Sequence, residues 1–242
     1  MTQNSHFKIM KHTLAIIAAS AATVGAVSAV TILPASSITG HHQGDSAAGN
    51  GSTLTVINGS GITQTGGATN PSTWTHNDSW TTDWQGDVLS GASNSKVGWT
   101  VIDLGSVQSQ LGEMLVWNVN EASWTSRGTE TFNIYYATAP TTTAPGVSAT
   151  PIDYDFASGG WTQLGGTRTL LQADASAANA LDGTYDLSSI SSAQYIGIEM
   201  LTSFGNGARV GLGEVVFTEV PEPSSTALLG LGCLALMWRR RK

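Results

Sequence analysis

Short stretches of alternating polar and apolar residues run through the middle of this chain. Residues 131–137 show the pattern most clearly, with Phe132, Ile134 and Tyr136 on one side. A period of two is typical of a β-strand that buries one face. The same reasoning predicts further strands over residues 53–57, 99–104, 114–119, 161–164, 184–187, 195–201 and 214–218.

The segments between these strands are rich in Gly, Pro and Asn, and a helical period is not sustained in the middle of the chain. Residues 170–181 are the exception, because their alanines allow a short helix. About eight strands without helices predict an all-β protein, namely a single β-sandwich over residues 53–219. Residues 140–151 are predicted as a surface loop. Residues 30–52 are small, polar and glycine-rich, which predicts a flexible lead-in.

The N-terminal residues 1–29 have the composition of an export signal. Lys8 and Lys11 precede an apolar stretch over residues 14–27, and small residues follow up to Ala29. This order is typical of a signal peptide, so we expect signal peptidase to cleave after Ala29. The alternative is an uncleaved membrane anchor.

The C-terminal residues 220–242 combine three parts with different physical properties. They are a proline-containing break (Val220, Pro221, Glu222, Pro223), an apolar run over residues 227–238 and a basic end (Arg239, Arg240, Arg241, Lys242). The prolines cannot continue a strand ladder, so the folded domain ends there. The run of 12 residues is short against the ~20 that span a bilayer, which predicts a marginal transmembrane helix with its basic end in the cytoplasm.

This tail resembles the PEP-CTERM sorting signal of Gram-negative bacteria, a segment that also carries the label of an ice-binding protein C-terminal domain. The resemblance implies that an exosortase in the inner membrane recognises the tail and cleaves it near Pro221, Glu222 and Pro223. The chain would then be a membrane-anchored precursor that is delivered to the cell surface or the extracellular matrix. A permanent tail anchor is the alternative.

The segment between the two ends is strongly acidic. Residues 30–219 hold four basic residues and 16 acidic ones, a formal net charge of −12. Such a surface repels nucleic acid and anionic membranes, so we expect no nucleic-acid partner. The only cysteine, Cys233, lies in the tail. No disulfide can form within these residues, so their stability must come from the core, with a bound metal as a further source.

A second resemblance concerns the body of the chain. It is carried by residues 99–105, 115–118, Arg127-Gly128, 132–136, 195–200 and 211–217. In this order they resemble the galactose-binding-like jelly roll of the discoidin, or coagulation factor 5/8 C-terminal, type. The resemblance covers residues 53–218 and implies a β-sandwich that binds carbohydrate.

Tryptophans in loop-like stretches are the first candidates for ligand contact. Trp80, Trp84 and Trp124 fall in such stretches, near Asn120 and Arg127. Sugars stack a ring face on an aromatic side chain while amides and charged groups fix the hydroxyls. The alternatives are that these tryptophans close the ends of the sandwich and that Arg127 ties two loops together through a paired carboxylate.

A calcium ion is the one cofactor that the resemblance implies. In the resembling family, an acidic residue before the last strand often joins backbone carbonyls around a structural calcium, and Glu214 occupies that position here. Calcium prefers oxygen ligands, and Asp83 is a candidate partner. The alternative is that Asp83 is a solvated loop acid.

The sequence gives little indication of catalysis. His41 and His42 fall in the predicted lead-in, which leaves His76 as the only histidine of the predicted domain. Neither a nucleophile elbow, a zinc-ligand spacing nor a phosphate loop accompanies it. We therefore expect a non-enzymatic, exported protein that binds a matrix exopolysaccharide. The alternative is a structural or adhesive matrix protein without a specific ligand.

Overall fold

Strands account for nearly all the regular structure in the computed structural model, which describes residues 30–42, 52–89, 96–146, 148 and 150–220. The strands are β1 (Thr31–Leu33), β2 (Ser37–Gly40), β3 (Ile62–Thr63), β4 (Thr75–His76), β5 (Trp84–Asp87), β6 (Gly98–Gln108), β7 (Leu111–Trp117), β8 (Thr129–Ala137), β9 (Thr162–Gln163), β10 (Arg168–Thr169), β11 (Gly183–Asp186), β12 (Ala193–Ser203), β13 (Arg209–Leu212) and β14 (Glu214–Glu219). Three single-turn 3₁₀ helices accompany them, at Thr53–Val56, Pro71–Thr73 and Thr125–Arg127.

Two antiparallel sheets form the body. The first has the strand order β1-β14-β7-β11, and the second has the order β10-β8-β12-β6-β2, with β9 also paired to β8. Two small ribbons, β5 with β13 and β3 with β4, lie beside them. The predicted all-β class and sandwich are confirmed. The predicted signal helix and C-terminal transmembrane helix lie outside the described residues.

The main core lies between the two sheets because the inward side chains of their long strands are apolar. In β7, Met114 and Val116 point into this core. The alternate residues Leu115 and Trp117 point outward, where they join Trp74 in a separate buried cluster. The first sheet therefore buries apolar side chains on both faces, which explains why 114–119 is an apolar run in the sequence.

The outer face of the second sheet is also covered. Residues 138–146 and 150–161 cross this face, and we call these described residues the strap. Tyr154 and Phe156 of the strap bury Trp99 and Val101 of β6 in a third apolar cluster. The predicted surface loop over residues 140–151 thus contributes described residues, such as Ala144, to a layer on the sheet.

The prediction of a flexible lead-in is wrong for residues 31–42. β1 pairs with β14, and β2 pairs with β6, so both are edge strands of the sandwich. His41 is fully buried, and its Nε2 lies 2.9 Å from the carbonyl oxygen of Asp87. Burial lowers the pKa of His41 to about 4. Residues 43–51 lie outside the described residues.

Two further local predictions are wrong. Residues 53–56 form a 3₁₀ helix instead of a strand, because the Ser52 hydroxyl accepts the Leu54 amide at 3.2 Å and starts a turn. Residues 170–181 form no helix. The strands predicted over 99–104, 114–119, 131–137, 184–187, 195–201 and 214–218 are confirmed as β6, β7, β8, β11, β12 and β14.

Candidate functional site

Two loop segments meet at one end of the sandwich. They are residues 77–85, which end in the first two residues of β5, and residues 118–128, which contain the third 3₁₀ helix. We call the two segments together the loop end. The amide of Ala122 donates to the carbonyl of Asp78 at 3.4 Å and joins the two segments. Trp80 is 46% exposed and Trp124 is 44% exposed, so each presents aromatic surface to solvent.

Arg127 organises the polar side chains around Trp124. Its Nη1 donates to Gln85 Oε1 at 2.8 Å and to Glu121 Oε2 at 3.1 Å. The Gln85 amide also donates to Glu121 Oε2, at 2.8 Å. The guanidinium carbon lies 4.0 Å from the centre of the Trp124 ring, within the range of a cation–π contact. Arg127 therefore holds both the indole and its polar neighbours. It ties two loops together through a paired carboxylate, and it also lies beside the exposed ring.

Trp84 is not available to a ligand, so its prediction as a contact residue is wrong. It is fully buried in β5, and its Nε1 donates to the carbonyl of His42 at 2.9 Å. Its ring meets the His41 ring edge-on at 5.1 Å between centres. Trp84 belongs to the core because β5 pairs with β13 and carries its side chain inward.

Asn120 is also fully buried, so the prediction that it contacts a ligand is wrong as well. Its Nδ2 lies within hydrogen-bond distance of three carbonyl oxygens, those of His76, Asn77 and Ser176, at 3.2, 2.9 and 2.7 Å. These carbonyls come from segments far apart in the chain. Asn120 therefore ties together the loops on which the exposed tryptophans stand.

Buried carboxyl groups lie beneath the loop end. Asp83 accepts the amide of Asn120 through Oδ2 at 3.0 Å, and its Oδ1 lies 3.7 Å from His76 Nδ1. Burial raises the pKa of Asp83 well above its usual range and lowers that of His76. Asp182 accepts the amide of Asn118 at 2.7 Å, and burial raises the pKa of Asp182 to about 6. These groups are held in the fold and do not face solvent.

Glu214, at the start of β14, is another buried acid close to these groups. Its Oε1 accepts the amide of Gly59 at 3.1 Å, whereas its buried Oε2 receives no hydrogen bond from the described residues. Burial raises the pKa of Glu214 to about 9. In the absence of a cation, the carboxyl group is therefore protonated at neutral pH.

The donor chemistry at Glu214 fits a calcium ion, since a buried carboxylate oxygen without a partner is a ligand that calcium prefers. Asp83 Oδ1 is likewise buried without a hydrogen bond. Within the described residues, however, no group of three or more His, Cys, Asp and Glu side chains is placed to hold a metal ion. Any cation site at Glu214 must therefore draw its remaining ligands from other oxygen atoms.

Most of the predicted processing residues lie outside the described part of the chain. These are Ala29, Pro221, Glu222, Pro223, Arg239, Arg240 and Arg241. Val220 is described: it is exposed, and its amide donates to the carbonyl of Gln110 at 2.8 Å. Within the described residues, no helix has the length and hydropathy needed to cross a bilayer.

Residues 219–242 match the model of the PEP-CTERM protein-sorting motif, which confirms the resemblance predicted for the tail. This motif implies export, processing of a membrane-anchored precursor, and an exosortase as the processing enzyme. The match covers the tail alone. No curated protein matches the sequence.

The body is structurally similar to solved carbohydrate-binding modules. A fucose-binding module of Streptococcus pneumoniae is 16% identical, with a TM-score of 0.42, over 78% of this chain and 94% of that one. A family 32 module from a family 31 glycoside hydrolase of Clostridium perfringens is 13% identical, with a TM-score of 0.45, over 77% and 90%. Another family 32 module of C. perfringens, in complex with galactose, is 14% identical, with a TM-score of 0.44, over 78% and 99%.

Sequence reasoning missed two members of the polar cluster around Trp124. Gln85 and Glu121 follow the predicted residues Trp84 and Asn120 directly, but nothing in the local sequence pairs them with each other. Their proximity depends on loop packing across 36 positions of the chain. The one available signal was the scarcity of cations, because a partly buried Arg127 needs a carboxylate partner.

Proposed function

We propose that residues 30–220 are a non-catalytic carbohydrate-binding module that acts at the cell surface or in the extracellular matrix. The observation that carries this proposal is the exposed Trp124 ring, held by Arg127 beside Glu121 and Gln85. An aromatic face with adjacent amide and charged groups is the arrangement that a sugar ring and its hydroxyls require.

The loop end needs little rearrangement before it binds. Arg127 covers one face of Trp124 and bonds to two side chains, so the indole and the polar groups are already held in place. Side chains that are already fixed lose less conformational entropy when a ligand binds. Trp80 supplies a second exposed aromatic surface on the same end of the sandwich.

A neutral polysaccharide fits the charge of this protein best. Residues 30–219 carry a formal net charge of −12, which repels anionic polymers at low salt. The carboxylate of Glu121 accepts hydrogen bonds from hydroxyls without requiring a charged ligand. A matrix exopolysaccharide of low charge is therefore the proposed ligand.

We propose no catalytic role because the histidine–carboxylate pair beneath the loop end cannot reach a substrate. His76 and Asp83 have fully buried side chains. A general base must lie within hydrogen-bond reach of the proton that it removes. Asp83 instead accepts the amide of Asn120, and His76 Nδ1 lies 2.9 Å from the carbonyl oxygen of Asn77.

We also propose that the mature protein lacks both termini. Signal peptidase would remove residues 1–29, and an exosortase would cleave near Pro221, Glu222 and Pro223, after the chain has crossed the inner membrane of a Gram-negative bacterium. Mass spectrometry of the protein recovered from cells tests both cuts. A mature protein that retains Lys242 would contradict the second cut.

A calcium ion at Glu214 is a further part of the proposal. When bound, the ion would hold the carboxylate in its ionised form and connect the start of β14 to the neighbouring loop. The unpartnered Oε2 is the supporting observation. A rise in melting temperature with calcium, lost in the Glu214→Gln variant, is the expected result.

The binding proposal is tested by affinity electrophoresis and calorimetry on the full-length protein, in a detergent without a sugar headgroup. Galactose and fucose, the sugars named for the solved modules, serve as first probes, followed by the extracted matrix polysaccharide. Trp124→Ala should weaken binding at least about 30-fold if Trp124 is a central contact residue.

Val107→Ala is the matched control, because Val107 is equally exposed but lies on β6 away from the loop end. It should leave binding unchanged. Binding that survives Trp124→Ala and Trp80→Ala together would contradict the assignment of the loop end. A protein that binds none of the polysaccharides would instead favour the structural or adhesive role.

A further inference from the structure

A groove of about 400 Å³ lies on the outer face of the second sheet, away from the loop end. Its floor is formed by β2, β6 and β12 through Ser37, Val101 and Tyr195. The strap forms its other side, with Thr142 and Trp161 among the lining residues. The groove has the size of a small-molecule site, since such sites commonly enclose ~300–1,000 Å³.

The aromatic side chains of the strap are fixed by hydrogen bonds. Trp161 Nε1 donates to the Tyr154 hydroxyl at 2.7 Å, and this hydroxyl donates to the carbonyl of Thr142 at 2.9 Å. The two rings meet edge-on, with 6.3 Å between their centres. The partly buried ring of Trp161 is therefore held in place. On β12, the hydroxyl of the partly buried Tyr195 accepts the Gln194 side-chain amide at 3.2 Å, and both rings line the groove.

Asp103 supplies a polar group at the floor of the groove. Its Oδ1 accepts the Gly105 amide at 2.8 Å and the Gln194 side-chain amide at 3.1 Å. Its other carboxylate oxygen accepts no hydrogen bond from the described residues. Asp103 is thus held in place with one oxygen left for a ligand, and Gln194 lies beside it.

The strap that forms the groove is fastened to the body. Buried Lys96 forms an ion pair with Asp153 at 2.9 Å and donates to the carbonyl of Tyr154. Trp99 Nε1 donates to the carbonyl of Ile152 at 2.7 Å. Because these contacts lie on the same stretch of the strap, the groove is a built feature of the fold.

The lining charge selects the kind of ligand. Among the described residues that line the groove, Asp103 is the only charged one, and none is a cation. The remaining polar lining consists of hydroxyls and one amide, from residues such as Ser37, Thr142 and Gln194. Such a surface matches a ligand that has apolar ring faces and many hydroxyls but no negative charge.

We infer that this groove is a second binding site for a neutral saccharide, separate from the loop end. The inference rests on the proposed function for its ligand class. The sugar ring packs against Tyr195 and Trp161, and Asp103 accepts hydrogen bonds from its hydroxyls. Two sites on one module let it hold a long polymer at two points, which raises the overall affinity without any new contact at either site.

The test uses the full-length protein in a detergent without a sugar headgroup. Titrations with methyl β-galactoside and with a neutral galactomannan are compared with titrations with alginate, an anionic polymer. In the Trp124→Ala variant, weak binding of the neutral probes should remain. Adding Ser37→Trp, which places a large ring from an exposed position into the groove, should reduce this residual affinity at least tenfold.

Asp103→Asn provides a second, milder test. Asparagine keeps an oxygen that can cap Gly105, so the fold is retained, while the free carboxylate oxygen is lost. The residual affinity should fall about threefold to tenfold. Val107→Trp, an exposed substitution further along β6, is the matched control and should change neither affinity nor melting temperature.

The possible outcomes separate the two sites. If Trp124→Ala abolishes all binding, or if the residual binding ignores both Ser37→Trp and Asp103→Asn, the groove inference is overturned and the loop-end proposal stands. If Ser37→Trp alone abolishes binding and Trp124→Ala has no effect, the loop-end proposal fails and the groove remains. Preferential binding of alginate at the groove would also overturn the inference.

Discussion

The loop end and the groove both present aromatic rings to solvent, but different interactions hold the two regions in place. The loop end stands on irregular segments that are held by buried polar groups, including Asn120, Asp83 and Asp182. The groove stands on a sheet, and its strap is fastened by the ion pair of Lys96 with Asp153. Burial raises the pKa of the two carboxyl groups beneath the loop end, whereas the strap depends on one buried cation.

This difference shows two ways in which an acidic domain can hold its surface segments in place without disulfides. Beneath the loop end, burial keeps the carboxyl groups of Asp83, Asp182 and Glu214 protonated to higher pH than in water. Under the strap, Lys96 offsets the charge of Glu199, whose Oε1 lies 4.0 Å from its ammonium group. The two regions should therefore respond differently to pH and to substitution.

The largest expected effect is the pH dependence that Glu214 gives to stability. Its folded pKa of about 9 exceeds the ordinary value of 4.5, so the folded protein keeps a proton that the unfolded chain releases. This stabilisation is complete below pH 4.5 and is lost as pH rises through 9. Without calcium, the free energy of unfolding should fall by about 4 kcal/mol between pH 5 and pH 8 from this group alone.

Denaturant titrations at a series of pH values, in a chelator, measure this effect. Glu214→Gln keeps the shape of the side chain and should remove most of the pH dependence of the free energy of unfolding that Glu214 causes. Some pH dependence of the same sign should remain, because burial also raises the pKa of Asp83 and Asp182. Added calcium should flatten the slope in the original protein and leave the variant unchanged. Identical slopes in both proteins would show that Glu214 does not titrate as described.

The next largest effect is expected at the strap. Lys96→Ala leaves the buried carboxylate of Glu199 without its cation, which should lower the free energy of unfolding by about 3 kcal/mol. The strap should become more accessible to limited proteolysis, while saccharide binding at the loop end persists. Asp153→Asn is the control, because Asp153 is half exposed and its loss should cost about 1 kcal/mol or less.

A smaller effect is expected from Arg127→Lys at the loop end. Lysine keeps the positive charge but cannot reproduce the planar contact with Trp124 and the two hydrogen bonds from Nη1. Saccharide affinity should fall about threefold to tenfold, with little change in melting temperature. Arg168→Lys on β10 serves as the control. An unchanged affinity in Arg127→Lys would mean that Arg127 does not position the Trp124 ring for a ligand.

The sequence predicted the long strands well because their pattern is local. β8 and β12 show alternation or apolar runs over many residues, and this pattern decides which face is buried. The short strands β5 and β13 lack such a pattern, because four residues do not establish a period. Their pairing joins segments distant in the sequence, so it could not be predicted from either segment.

The candidate site shows the same limit. Trp84 and Trp124 both stand among polar residues in the sequence, yet one is fully buried and the other is exposed. The difference arises because β5 finds a partner strand, whereas Trp124 precedes a single 3₁₀ turn. Similarly, the sequence of residues 31–42 resembles a polar lead-in, yet these residues form the edge strands β1 and β2. An edge strand needs a neighbour on one side only, and β14 and β6 are those neighbours.

The most direct test of the account is the response of the tryptophan indole N–H signals to a neutral saccharide in a ¹H–¹⁵N spectrum of the full-length protein. The account predicts that galactomannan shifts the signals of Trp80 and Trp124, and that of Trp161 in the groove. The buried Trp84, Trp99 and Trp117 should keep their positions. Unchanged signals from Trp80 and Trp124, at saccharide concentrations that saturate binding, would contradict the assignment of the loop end as the carbohydrate site.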